Sequence, residues 1–555
     1  MEKRAIIAGL LSFMVLIIWA WFFGPKSQKA PVKDEFVHEG PEKTSPRSDA
    51  VRLSGKQVSQ ETVQVSKEAP LPLLEEKEIH VDTPLYRAVF SSAGARLKSF
   101  KLKKYHVAPD KNSPLIELAD LDKGNKDILG FSFVNAKDPE AGTTLYDANE
   151  EFISLGPESS PRDLTFTSSS GDGLSVVQTF RISPDRYPID LTVAVSNRSQ
   201  KEIQGNVQAT LRATPPKEKS SYYAFNGLAF LLNGKLEKVE SGKLKEDKVF
   251  SGAVGWMAYE KEYFMTAVVL EDDGGGKISG RLGPSGILDA KYEDTAISIQ
   301  GNGHESYRFT LYLGPRDLAI LKQLGKKLDL AINFGWTDPI AKPLLYTLRF
   351  FNAYVHNYGV AIILLTALIK ILFWPLTHKS YKSMKDLQKL QPLMAKIREK
   401  HKDNKEAMNR ELMALYKTYK VNPMGGCLPM IIQIPVFFAL FRILGNSIEL
   451  RHAHFWLWIK DLSAPDRLFA DQFPFQIPYM APPSGIPVLT LLMGLSMFVQ
   501  QKMTPTPGDP TQAKIMMFLP LIFTVMFINF PSGLVLYWLV NNILSIGQQY
   551  GIKRR

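Results

Sequence analysis

The sequence predicts a polytopic α-helical membrane protein with six transmembrane helices, five of them gathered in a C-terminal core, and a large extracytoplasmic all-β sandwich domain. Three observations carry that prediction. Apolar runs free of Asp and Glu recur near the N-terminus and after residue 358, a polar middle shows apolar residues at period two, and Lys and Arg gather at alternate connections between the apolar runs. The mean hydropathy of the 555 residues lies near zero and conceals this division.

Residues 1–24 hold the first predicted span. Ala5 to Gly24 is an uncharged run of about 20 residues, enough to cross a hydrocarbon core of ~30 Å. Lys3 and Arg4 precede it and favour a cytoplasmic N-terminus. Its bulky end, Trp21-Phe22-Phe23, and the lack of a small-x-small site favour an uncleaved anchor over a signal peptide. Residues 25–79 are rich in Lys, Glu, Ser and Pro and poor in aromatics, the composition of a flexible tether.

Residues 80–325 carry the strand pattern. Ile189, Leu191, Val193 and Val195 alternate with Asp190, Thr192 and Ala194, and Tyr307, Phe309, Leu311 and Leu313 alternate with Arg308, Thr310 and Tyr312. Turn signals such as Asn233-Gly234 and Gly274-Gly275-Gly276 separate such runs, which indicates a sandwich. A single cysteine, Cys427, excludes an intrachain disulfide, so this domain must fold on its apolar core. His80, His106 and His304 are isolated, and His452-x-His454 lacks a third ligand, so no metal and no cofactor is expected. Sandwich domains of this size often bind sugars, which leaves a carbohydrate site open on fold alone. Residues 326–357 mix Trp336, Phe350, Phe351 and Tyr354 with Lys342 and Arg349, which fits either an amphipathic helix at the outer interface or a packing helix between domains.

The core follows, with spans at 358–376, 426–445, 486–502 and 515–530, and a sixth at 531–550 that opens with a tight turn at Pro531-Ser532-Gly533. The intervening pieces are a basic cytoplasmic hairpin (377–425), an external loop (446–485), a cytoplasmic loop (503–514) and a basic cytoplasmic tail (551–555). Charge agrees with this count. The segment from His378 to Pro423 and the tail are rich in Lys and Arg, whereas the loop from Asn446 to Gly485 sets Arg451, Lys460 and Arg467 against Glu449, Asp461, Asp466 and Asp471. The net charge of +12 comes largely from the cytoplasmic parts, pointing to anionic lipid or ribosomal RNA beside the membrane and not to DNA.

Within the hairpin, Leu387, Leu390, Met394 and Ile397 form one a/d stripe, and Met408, Leu412, Leu415 and Tyr419 a second, with the polar run Glu399 to Glu406 as the reversal. Its other faces carry Lys382, Lys385, Lys389, Lys396 and Arg398, then Lys400, Lys402 and Lys405. These are either a solvated face or a docking arm for anionic lipid, a ribosome or a targeting factor.

Lys370 lies within the apolar stretch Val360 to Pro375, and none of the other predicted spans supplies an acid to pair with it. A lysine at the centre of a spanning helix costs about 2.5 to 3.5 kcal/mol on insertion scales. Either the side chain snorkels to the cytoplasmic face, about two turns or roughly 10 Å away, or its partner arrives on another molecule. Thr366 shares its helix face, and Gln433, Ser496, Gln500, Thr524, Asn541, Ser545 and Gln548 place further polar groups at depth. Singly these are interhelical glue; together with Lys370 they are also the lining of a wet cavity, which Pro429, Pro435 and Pro520 would open by kinking their helices. Three of the five core spans have only about 15 to 17 apolar residues, roughly 24 Å of helix against ~30 Å of hydrocarbon, so the bilayer should thin beside them. The acid-free spans argue against a proton- or cation-coupled transporter, and no phosphate-binding loop suggests ATP-driven work.

Longer motifs then stand out: TALIKILFWPLTHKSYKSM (Thr366 to Met384), ELMALYKTYKVNPMGGCLPMIIQIPVFFALFRIL (Glu411 to Leu444), FWLWIKDLSAPD (Phe455 to Asp466), QKMTP (Gln501 to Pro505) and FPSGLVLYWLVNNILSIGQQ (Phe530 to Gln549). As an ordered set they closely resemble the YidC/Oxa/Albino family of membrane protein insertases, and the anchor plus β-rich region resembles the Gram-negative layout. The resemblance implies a protein of the inner membrane, with both termini cytoplasmic and the large domain periplasmic. It would move hydrophobic segments of nascent membrane proteins from the cytoplasm into the lipid and help them fold, without covalent chemistry. It implies a groove open to cytoplasm and lipid with Lys370 at its centre, and client contacts at Thr366, Met430, Gln433, Phe437, Thr524 and Trp538, beside Asn541. Implied partners are nascent membrane proteins, the Sec translocon with its accessory subunits, a ribosome and a signal recognition particle receptor. Many Gram-negative relatives carry Arg and Tyr where this chain has Lys370 and Trp538, and lysine keeps the charge but lacks the planar guanidinium fork. The competing readings are a channel or transporter with an external β-sandwich sensor and a membrane-anchored carbohydrate-active protein.

Overall fold

The computed structural model describes residues 76–555 except 111, 120–127, 136–143, 217–224, 403, 422–427, 473–479, 482, 505–509 and 555. The predicted N-terminal anchor, and the tether before residue 76, lie outside the described residues.

Period-two patterning builds the first part of the chain. In strand Ile189–Asn197, Ile189, Leu191, Val193 and Val195 are buried, while the residues between them point away from the core. Strand His304–Pro315 buries Phe309, Leu311 and Leu313 likewise. Its Tyr312, expected on the polar face, is buried as well within the packed core, and its hydroxyl is satisfied there by donating to the Pro315 carbonyl at 2.5 Å. One layer runs through strands Arg162–Ser169, Leu174–Ile182, Ile189–Asn197 and His304–Pro315, all antiparallel, to the first half of Phe264–Leu282. The second half of Phe264–Leu282 leaves that layer and pairs with Leu288–Asp294, which continues the other layer through Ile203–Ala213 to Leu129–Asn135. The change of layer coincides with a register shift opposite Val254 and Trp256 of the partner strand Lys248–Glu260, where Phe264–Leu282 takes five steps, from Val269 to Gly274, against two and so bends the ribbon. Between the layers the Phe131 ring meets Phe309 at 5.0 Å, and Gln178, fully buried, donates to the Phe131 carbonyl at 3.1 Å.

Helices follow: α1 (Leu318–Leu324), α2 (Asp338–Val355), α3 (Tyr358–Lys389), α4 (Gln391–Lys400), α5 (Lys405–Thr418), α6 (Leu428–Asn446), α7 (Val488–Met503), α8 (Pro510–Phe527) and α9 (Ser532–Arg554). The sandwich is tied to them by buried charge. Glu260, fully buried, pairs with Lys238 at 2.7 Å and Arg316 at 3.2 Å, and both cations also donate to the Ala331 carbonyl ahead of α2. Arg451, in the loop after α6, donates to the carbonyls of His106 and Val107 and lies over the rings of Tyr263 and Phe264. Arg349 of α2 pairs with Asp317, the N-cap of α1, and with Glu449. The stretch 326–357 thus serves as a packing element, with Ala341, Leu345 and Leu348 of α2 buried, and also turns Tyr346, Phe350 and Tyr354 outward at four-residue spacing.

Several boundaries differ from those expected, among them the start of α8 at Pro510, inside the expected cytoplasmic loop. Helix α3 does not end at residue 376 but continues to Lys389, so Leu387, Lys382, Lys385 and Lys389 sit on the extension of the apolar helix. The fall in hydropathy after Pro375 marks a change of surroundings, whereas the backbone stops only before Gln391-Pro392, where proline cannot continue the ladder. In the hairpin, Leu390, Met394, Met408 and Leu412 form the buried seam, and Leu387, Ile397 and Leu415 flank it. Tyr419 is exposed instead, because α5 ends before it and its helical phase is lost; Tyr416 packs in its place. A further difference is at Ser532 and Gly533, which are helical: their N–H groups donate to the loop carbonyls of Ala464 and Leu462, so α9 begins there and the turn shortens to the residues before it. At its far end α9 also absorbs most of the basic tail.

The two hairpin helices are joined by Glu411, which accepts from Lys400 at 3.1 Å and from His401. Lys400 and then His401 hold this carboxyl below the usual glutamate range. A depressed carboxyl contributes stability above its unfolded value, about 4.3, that is lost as the pH falls through the lower folded value. The pair is solvent-exposed, so this share is small, and spin-label distances between α4 and α5 should broaden only slightly below about pH 4. In Glu411→Gln the same slight broadening should be present at neutral pH; distances indifferent to both changes would show that the apolar seam alone closes the hairpin.

Candidate functional site

Helix α3 starts where the Asn357 side chain accepts from the Val360 N–H at 3.1 Å, after His356 has turned the chain through the left-handed region. Ala361, Ile362, Leu365, Thr366 and Ile369 then recur at helical spacing and are buried, with α9 packed against α3 on one side and α7 on the other. Lys370 extends that face. Its Nζ donates to the Ser545 hydroxyl of α9 at 2.7 Å, and among the described residues no carboxylate pairs with it. The Ser545 hydroxyl in turn donates to the Asn541 carbonyl at 2.8 Å. From α6, Gln433 donates to the Asn541 side-chain oxygen at 2.8 Å and to the Tyr537 hydroxyl at 3.0 Å. Lys370, Gln433 and Asn541 thus share one small cleft with Ile369, Phe373 and Thr377.

The other expected site residues whose side chains are described do not line that cleft. Thr366 is 1% exposed and spends its hydroxyl on the Ile362 carbonyl at 2.6 Å, so it belongs to the packing of α3. Thr524 does the same on α8, donating to Pro520 at 2.7 Å, and it faces Gly494 of α7, where a β-carbon would collide with its hydroxyl. Trp538 and Phe437 meet edge to face at 5.0 Å in an aromatic group completed by Phe527, at 5.1 Å from the indole, and Phe523, at 6.0 Å. Met430 lies on α6, but its side chain is outside the described residues. On the basic arm, Lys382, Lys385 and Lys396 are exposed, Lys389 pairs with Asp386 at 2.9 Å, and Arg398 is half-buried.

Tyr537, Phe523 and Phe527 were not anticipated. Tyr537 carried a signal, since Tyr537, Asn541, Ser545 and Gln549 recur every four residues along α9 and share one face. Gln549, and not Gln548, prolongs this line, donating to the Tyr381 hydroxyl at 2.9 Å.

The outer surface of these helices is the reverse of a soluble protein's. Leu364, Leu368, Ile371, Leu372 and Trp374 on α3, Leu491, Leu492 and Leu495 on α7, and Phe518, Leu521, Ile522 and Val525 on α8 are all exposed. Hydrogen-bonded polar side chains occupy the interior instead, among them Asn542, which donates to Ser496 at 2.9 Å. Among the described residues α3 alone meets the requirement for a full span by length and composition, while the apolar parts of α6, α7 and α8 are shorter; α7, with 16 residues, is about 24 Å long. An apolar outer surface around a hydrogen-bonded interior, next to a large β-sandwich, defines an integral membrane protein with a large globular domain.

Comparison with known proteins makes the class specific. Residues 350–555 match the family model described as 60Kd inner membrane protein, and residues 78–347 the one described as YidC periplasmic domain. The "Membrane protein insertase YidC" of Syntrophobacter fumaroxidans is 42% identical over 100% of both chains, and that of Syntrophus aciditrophicus 41% identical over 100% of both. A solved structure described as an active YidC insertase aligns with 86% of this chain and 93% of its own at 19% identity and a TM-score of 0.36. The chain belongs to the YidC family of membrane protein insertases, inner-membrane proteins with a periplasmic β domain.

Proposed function

We propose that this insertase moves hydrophobic segments of nascent membrane proteins from the cytoplasm into lipid along a hydrophilic groove whose positive centre is Lys370. The observation that carries this reading is a cation without an ion-pair partner among the described residues, held with Gln433 and Asn541 in a small cleft shared by α3, α6 and α9. An acidic or polar leading segment of a client would be held there electrostatically while its apolar segment slides out between short helices into thinned lipid. The work is binding and release with no covalent step. Trp538 and Phe437 offer an apolar aromatic surface for the client beside the polar cleft.

In this reading the chain crosses the membrane six times, with both termini in the cytoplasm and the sandwich in the periplasm. Lys382, Lys385, Lys389, Lys396 and Arg398 form a cytoplasmic docking arm for anionic lipid, a ribosome or a signal recognition particle receptor. Larger clients are handled beside the Sec translocon and its accessory subunits. A stalled nascent chain should crosslink from photoreactive groups at Gln433 and Trp538, and less from Thr366, whose side chain is packed away. Crosslinks confined to the outer apolar surface would sink the groove, as would normal insertion of small clients with acidic tails after depletion of the protein.

A further inference from the structure

We infer that Ser545 is a positioning residue that parks the Lys370 ammonium on α9 in the resting protein, so that an acceptor on the client must displace the Ser545 hydroxyl to reach the charge. The inference rests on the groove proposed above. Its basis is how the acceptors around Lys370 are committed. The Ser545 hydroxyl gives its proton to the Asn541 carbonyl at 2.8 Å, which leaves its oxygen lone pairs for the ammonium, 2.7 Å away. The Asn541 side-chain oxygen accepts from Gln433 at 2.8 Å, and the Tyr537 hydroxyl accepts from the same amide at 3.0 Å. Ser545 is 2% exposed, whereas Lys370 lines the cleft. The ammonium is therefore drawn toward the protein side of the cleft by a neutral hydroxyl, and among the described residues it has no ion-pair partner.

A neutral hydroxyl is a weaker partner for an ammonium than a carboxylate is. It acts as an internal competitor: the apparent affinity for a client that needs Lys370 is reduced by the fraction of protein in which the ammonium is released. If the parked form outnumbers the free form by about ten to one, removing the hydroxyl tightens such clients by about tenfold. A client that inserts without Lys370 gains nothing.

The full chain in proteoliposomes, with two single-span clients differing only in an Asp or a Leu in the leading segment, provides the test. Ser545→Ala is expected to lower the half-saturating concentration of the Asp client by roughly three- to tenfold without changing the maximal rate, and to leave the Leu client unchanged. Ser545→Thr keeps the hydroxyl and should behave as wild type. In a Lys370→Ala background Ser545→Ala should add nothing. The inference is overturned if Ser545→Ala weakens the Asp client, leaves it unchanged, or shifts both clients alike, the last being the mark of a packing role. That serine bonds within its own helix, to Lys370 and to the Tyr381 hydroxyl of α3, so Tyr381→Phe, expected to leave both clients unchanged, controls for the last of these contacts. The arms also separate the two levels of argument. No effect of Lys370→Ala on the Asp client removes the groove reading itself, whereas a clear effect together with a silent Ser545→Ala removes only the parking.

Discussion

Lys370→Glu is expected to abolish insertion of clients with acidic leading segments, Lys370→Ala to slow it by roughly tenfold, and Lys370→Arg to leave it near wild type. A tenfold loss corresponds to about 1.4 kcal/mol. Two unit charges 4 Å apart interact by about 4 kcal/mol at an effective dielectric constant near 20, so reversing the charge turns an attraction of that order into a repulsion. Among the described residues the cleft offers no other cation to compensate, since its remaining lining is Ile369, Phe373, Leu376, Thr377, Ile432, Gln433 and Asn541. Arginine retains the charge and can still donate to Ser545, although its fork changes the geometry. Insertion of radiolabelled clients into vesicles carrying each variant at equal abundance measures this. Equal insertion by all three would mean that the lysine merely reaches for headgroups.

The second large effect is expected outside the membrane. Glu260→Gln leaves Lys238 and Arg316 facing a neutral amide in a fully buried position, and breaking such a pair costs about 3 to 5 kcal/mol. For a domain of this size that corresponds to a fall in melting temperature of roughly 10 °C. Because both cations also hold the Ala331 carbonyl, the variant should loosen the junction ahead of α2 together with the sandwich. Calorimetry of the full chain, with hydrogen exchange across residues 316–345, reports both changes. Lys238→Met, which leaves Glu260 with Arg316, should cost less, and a Glu260→Gln protein that melts within about 2 °C of wild type would show the cluster to be energetically idle.

Much of this was legible along the chain because it depends on periodicity. Ile189, Leu191, Val193 and Val195 had to share a face in any strand, and the seam of the hairpin followed from a/d spacing except where α5 ended before Tyr419. The limits of α3 were harder to place: composition reports where lipid ends, but a helix persists until something breaks its hydrogen bonds, here Pro392. Thr366 illustrates a further gap. Its spacing from Lys370 put it on the right face, yet spacing does not reveal that the hydroxyl is spent on Ile362. Glu260 gave no signal at all in the sequence, since its partners lie 22 and 56 residues away on either side.

The sequence by itself determined the class of the protein: acid-free apolar runs, a period-two middle and alternating basic connections are local properties, and each follows from the surroundings its residues must occupy. It also singled out Lys370, because an ionisable side chain in an apolar run is costly wherever that run is placed. Only the tertiary structure decided what Lys370 touches. Partner choice among Gln433, Tyr537, Asn541 and Ser545 depends on how α3, α6 and α9 are rotated against one another, and hydrogen bonds of about 3 Å tolerate no uncertainty in that rotation.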